Sequence, residues 1–217
     1  MADSPYALAQ LSFWQAMPIA VLVSVIVGVI FGIPVLKIRG DYLAVATLAL
    51  GEIVRVVVLS DAAAPLLAGA EGILQIPRPE IGSFVLGTPV SLFYLTLAAS
   101  LVAAYVAWRL GESRLGRAWM AIREDEVAAD CMGVDPIKTK LLAFALGASF
   151  SGLAGAVYAA KLQAIFPELF RFQVSIMLLC IVIIGGMGNL KGVILGGMCI
   201  MFFDRVVLAQ STQLVRS

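Results

Sequence analysis

Long apolar runs alternate with short polar segments along most of this chain. About 20 apolar residues suffice to cross the roughly 30 Å hydrocarbon core of a bilayer as a helix. Five stretches meet that test well: Met17–Leu36, Tyr42–Ser60, Val90–Trp108, Leu141–Ala160 and Phe172–Gly185. A sixth, Gly192–Leu208, meets it weakly; the glycine-rich turn GGMGNLKG joins the last two as a hairpin that is in part re-entrant or fully spanning. The second run is interrupted by Glu52 and Arg55 and the sixth by Asp204 and Arg205. This pattern predicts an all-α, polytopic transmembrane bundle of about six spans, residues 1–217 forming one membrane domain.

Between the third and fourth runs lies a different kind of segment. Residues 113–140, SRLGRAWMAIREDEVAADCMGVDPIKTK, are charged and carry a helical pattern. Arg109, Arg114, Arg117, Arg123, Lys138 and Lys140 lie on or beside this island. Alternating the sides of the spans groups 37–40, 109–140 and 185–192 together, with nine of the fifteen Lys and Arg. Five fall on the other side, so the positive-inside rule predicts that loop 109–140 is cytoplasmic and that both ends of the chain face outward. Loop 61–89 is then external; rich in Gly and Pro but apolar, it is expected to fold back over the mouth of the bundle.

Composition agrees: 61% of residues are hydrophobic and 13% charged, against about 45–50% and about 25% in soluble domains. A net charge of +1, with basic residues scattered over short loops, gives no footprint for nucleic acid. The chain has no histidine, which removes Ser-His-Asp catalysis and histidine-based zinc or haem ligation. Cys131, Cys180 and Cys199 have no metal-binding spacing and read as small fillers. No catalytic residue, cofactor or metal site is expected. GGMGNLKG lacks the GxxxxGK[ST] of a phosphate loop, and the serines of GASFSG have no base to activate them. Residues 1–15 lack the basic start of a secretory signal.

Small residues four apart (Gly28 with Gly32; Gly147, Ser151 and Gly155; Gly192 with Gly196) predict close helix packing in lipid. Glu52 and Arg55 lie one turn apart, close enough to pair. They either neutralise each other to orient the helix or line a polar translocation path.

The string GRAWMAIREDEVAADCMGVDPIKTKLLAFALGASFSGLAGAVYA resembles the permease subunit of branched-chain amino acid ABC importers, the LivM type, nearly throughout its length. RGDYLAVATLALGEIVRVV, AGAEGILQIP and GGMGNLKGVILGG are similar to further segments of that family, in the same order, so the resemblance covers about residues 5 to 205. The family usually has further spans at both ends, and PYALAQLSFWQAMPIAV resembles an interior segment of it. In the general coupling pattern of ABC permeases, EAA precedes a glycine; here Ala128, Ala129 and Gly133 fit, Val127 stands at the Glu position and Glu126 one residue earlier.

The resemblance implies a multi-pass permease of the bacterial inner membrane that hydrolyses nothing itself. It implies two ATP-binding subunits as partners, with a related second permease and a periplasmic substrate-binding protein. Ala128, Ala129 and Gly133 would keep the ATPase contact surface small, and Arg117, Arg123, Glu124 and Glu126 would supply charged contacts at its rim. Asp135-Pro136 would stop the coupling helix before the next span. The implied cargo is leucine, isoleucine or valine; urea or short amides, carried by related permeases, are an alternative, as is a stand-alone secondary transporter or channel using Glu52 and Arg55.

Overall fold

The computed structural model describes residues 12–36, 38, 41–60, 72–74, 76–81, 84–85, 87 and onward to 214. The side chains of 204–214, among them Asp204 and Arg205, lie outside the described ones, as do residues 61–71 of the external loop and Lys37 and Arg39. Backbone contacts divide the chain into two compact units, Met1–Leu169 and Phe170–Ser217.

In the first unit, helix α1 (Phe13–Val35) is followed by α2 (Asp41–Leu59), α3 (Pro89–Glu112), two short helices α4 (Arg114–Glu124) and α5 (Glu126–Cys131), and α6 (Pro136–Leu162). Three described helices, α1, α3 and α6, are long and apolar enough to cross a membrane. Their bounds extend the predicted runs by a few residues, because polar residues at the ends of a span still satisfy the helical ladder. Most of their large apolar side chains, such as Leu22, Ile30, Phe93 and Leu101, are exposed. No polar or charged residue is classed as buried among the described ones. This is the inverse of a water-soluble fold and suits lipid as the solvent.

Helices α1 and α6 form the main packed pair. Gly28 meets Ala148 so closely that a Cβ there would lie 2.5 Å from the alanine Cβ, and Gly32 lies against Phe144. From the other side Gly152 faces Ser24 and the Val21 backbone, with an added Cβ only 2.7–2.9 Å away. The small-residue stripe on α1 is therefore the packing face predicted for it. On α6 the expectation is corrected: Gly147 and Gly155 face open space and Ser151 is exposed, while Gly152 and Ala148 make the contact. Spacing of four fits two adjacent faces of a helix equally well, and only the partner chooses between them.

The end of the unit where α1 begins and α6 finishes holds its small core. Phe13, Val157 and Ala160 are buried there, with Met17, Leu95 and Ala99 packed on them. Described residues of the segment before α3 lie against this end. Strand β1 (Ile73–Leu74) pairs antiparallel with β4 (Ala164–Ile165), just past α6. The pairing is extended by a bond from Ile76 N–H to the Gln163 carbonyl. Gly72, at φ +70°, sits so close to the Ile165 carbonyl that no side chain would fit. A second two-residue pair joins β2 (Glu80–Ile81) to β3 (Phe84–Val85), and the Trp14 indole donates to the Glu80 carbonyl at 2.7 Å.

The second unit is the predicted hairpin: α7 (Phe172–Gly185), a turn, and α8 (Leu190–Leu214). Gly186 and Gly188 both take φ near +90°, a conformation that favours glycine. Gly185 and Gly192 touch backbone to backbone, and Gly196 packs on Ile181 and Gly185. At 14 residues α7 is about 21 Å long. It keeps the predicted bounds and is one of the shorter apolar helices beside the three long ones. All three cysteines are free and exposed on helix faces.

Candidate functional site: the elbow between α3 and α6

The charged island folds as two helices, α4 and α5. Three capping residues set the breaks. Ser113 ends α3 and starts α4, its hydroxyl accepting from Gly116 N–H at 3.2 Å. Asp125 ends α4 and caps α5, one carboxylate oxygen accepting from Val127 and Ala128 N–H at 2.8 and 3.0 Å. Asp135 caps α6 in the same way, accepting from Ile137 and Lys138 N–H, with Pro136 in the first turn, where its missing N–H costs nothing. Asp135-Pro136 thus begins the next helix; α5 has already ended at Cys131, and Gly133 at φ +85° turns the chain. The Lys138 backbone N–H and ammonium, the latter 3.0 Å away, hold the Asp135 carboxyl below its ordinary pKa.

Two ties fix this elbow to the long helix that follows. The Trp119 indole on α4 donates to the Thr139 carbonyl on α6 at 2.9 Å. Glu126 on α5 pairs with Lys140 on α6 at 2.7 Å, both side chains about a third exposed. Neither Trp119 nor Lys140 is singled out by the coupling pattern. The signal available in sequence was a lone tryptophan inside a charged stretch, where an indole N–H finds a partner once partly buried. Between α4, the end of α1 and the start of α6 lies a mostly apolar cavity of about 270 Å³, walled by residues including Leu36, Trp119, Ile122 and Phe144 with Arg123 and Lys140 at its edge.

The residues assigned to coupling divide by orientation. Ala128 and Gly133 are exposed, beside Val127 (66% exposed) and Met132 (84%), so they form a small apolar outer surface. Arg117, Arg123 and Glu124 on α4 are exposed, and Arg117 donates to the Glu112 carbonyl at the end of α3. Ala129, by contrast, is 4% exposed and packs inward. Glu126 is also committed inward, through Lys140. Ala128 and Ala129 are 100° apart on the helix, enough to put one outward and the other inward.

Glu52 and Arg55 on α2 do pair, at 2.5 Å. The Arg55 Nε is buried without a hydrogen-bond partner. The pair is internal to one helix and stands apart from the elbow residues in sequence and contact.

The profile of the family described as branched-chain amino acid transport system / permease component matches residues 4–215. The chain belongs to this permease family. It is 36% identical over 95% of its length to the high-affinity branched-chain amino acid transport system permease protein LivM of Salmonella typhimurium, and equally to that of Escherichia coli. A probable LivM of Methanocaldococcus jannaschii is 30% identical over 85% of the chain. The alignments cover 52%, 52% and 53% of those relatives, so the chain spans about half their length. No solved structure matches. With its long apolar helices, the permease is a multi-pass protein of the inner membrane.

Proposed function

We propose that the permease forms one membrane-spanning part of an ABC importer for leucine, isoleucine and valine, and that ATP hydrolysed by two separate subunits drives it through the α4–α5 elbow. The observation that carries the reading is the elbow's construction: a small apolar outer surface (Val127, Ala128, Met132, Gly133) backed by Trp119–Thr139 and Glu126–Lys140 contacts to α6. A push on that surface is transmitted to α6, and α6 is packed along α1 through Gly28, Gly32 and Gly152. Two spans then move as one body, as rocking models of alternating access require.

The remaining parts follow from family membership and from the names of the relatives. A second, related permease completes the pathway, and a periplasmic binding protein delivers cargo to the opposite side from the elbow. In this arrangement residues 109–140 are cytoplasmic, the 61–89 segment is external, and Glu52–Arg55 borders the pathway as a pre-neutralised pair.

The test is uptake by the complete assembly in proteoliposomes. Leucine import is expected to require ATP, the binding protein and both ATPase subunits. ATP-independent import, or import driven by an ion gradient, would reject the reading.

A further inference from the structure

A second cavity, of about 220 Å³, lies between α3 and α6, remote in sequence from the elbow. Ala99 and Ala103 on α3 and Ala154 on α6 leave room in it, and Leu153 and Val157 add branched apolar surface. Its polar groups are few: Thr96 and Ser100 on α3, Tyr158 and Lys161 on α6. The Thr96 hydroxyl donates to the Leu92 carbonyl and the Ser100 hydroxyl to the Thr96 carbonyl, each at 2.8 Å. A hydroxyl has one proton and two lone pairs, so both groups have spent their donor and keep acceptor capacity toward the cavity. At the far end of α6, Lys161 supplies a cation; no carboxylate ion-pairs with it among the described residues.

Thr96 and Ser100, with acceptor capacity left, suit an ammonium; a lysine suits a carboxylate; alanine, leucine and valine walls suit an aliphatic side chain. We propose that this cavity is a binding station for a zwitterionic α-amino acid with a branched aliphatic side chain. Lys161 holds the carboxylate, Thr96 and Ser100 accept from the ammonium, and Leu153 and Val157 bury the side chain. The proposal deepens the transport reading and rests on it for physiological meaning, but the chemistry belongs to the cavity itself. Urea offers no charge to Lys161 and no apolar surface to Val157, and it is the wrong occupant on both counts. Only a few placed polar groups in an apolar wall are needed to orient a small ligand.

The experiment uses the complete importer assembly with Cys131, Cys180 and Cys199 replaced and Ala103→Cys as a reporter, with Ala99→Cys as a second reporter in case the first fails to assemble. Alkylation by a small methanethiosulfonate reagent is followed with and without saturating leucine, and with urea. Leucine is expected to slow the reaction about tenfold, the change that a tenfold excess of occupied over empty sites produces. Urea leaves it unchanged, and Lys161→Gln raises the leucine concentration needed by about tenfold. Equal rates with and without leucine overturn the proposal, as does a reporter that never reacts. Uptake by the wild-type assembly is measured in parallel. Loss of that uptake counts against the transport reading, whereas protection of the reporter judges the cavity alone.

Discussion

At the scale of single residues, charge placement carries most of the meaning, because every ionic group near a bilayer must be paired, exposed or useful. Glu52 and Arg55 have found each other within one helix. If neutralisation is their main role, Glu52→Gln with Arg55→Gln assembles better than either single change, since a lone charge in a span costs roughly 2.5–3.5 kcal/mol on insertion scales. Their proposed place beside the pathway adds a second expectation: the double variant assembles at wild-type level yet imports more slowly per complex. Full uptake by that variant would remove them from the pathway. Asp135 makes a different case. Its carboxyl titrates lower in the folded protein, so its contribution is complete above the ordinary value of about 3.9 and is lost only as pH falls through the lowered one. Import assays near neutral pH therefore leave that cap intact. Gly133 is a poor site for a steric probe. An added Cβ meets nothing within 4 Å, but φ +85° strains any larger residue whether or not a partner docks there.

Among the elements, length and apolarity were legible in the sequence, while phase and breakage were not. The runs at 17–36, 90–108 and 141–160 became α1, α3 and α6 because the bilayer length they satisfy is a one-dimensional property. Which face of α6 packs is a question of rotation about the axis, and a Gly147–Ser151–Gly155 stripe cannot answer it alone. Likewise the helical pattern of 113–140 does not show where it breaks; Asp125, by competing for backbone N–H groups, splits it in two. The packing assignment has a direct consequence. Gly152→Leu must displace Ser24 and the α1 backbone, an overpacking that costs about 1–3 kcal/mol. At Gly147 or Gly155 an added Cβ meets nothing within 4 Å. Thermal stability of the purified permease is expected to fall for the first and to stay within a degree or two, on the scale of neutral surface changes, for the others. An equal drop at all three would reject the α1–α6 interface.

For the whole molecule, orientation and energy input are the open quantities. The nine-to-five distribution of basic residues predicts that a cysteine placed beside Arg117 reacts only with reagent on the cytoplasmic side, and one beside Glu80 only from outside. The reverse pattern would put the elbow out of reach of any ATPase. The family was legible because four separated segments agree in order, a coincidence that composition alone does not produce. What the family pattern could not show was the division of labour inside the elbow: Ala128 outward, Ala129 and Glu126 inward, Trp119 and Lys140 as ties to α6.

In the proposed mechanism the energy of ATP enters at the exposed face of α5. The most direct measurement is the amount of ATPase subunit retained per permease when an assembly carrying Ala128→Trp is purified from membranes. Ala128 is exposed and contributes nothing inward, so permease content in the membrane is expected to match the wild type. ATPase retention is expected to fall by about tenfold, the effect of losing roughly 1.4 kcal/mol of contact. Wild-type retention together with undiminished leucine uptake would rule out entry of that energy at α5.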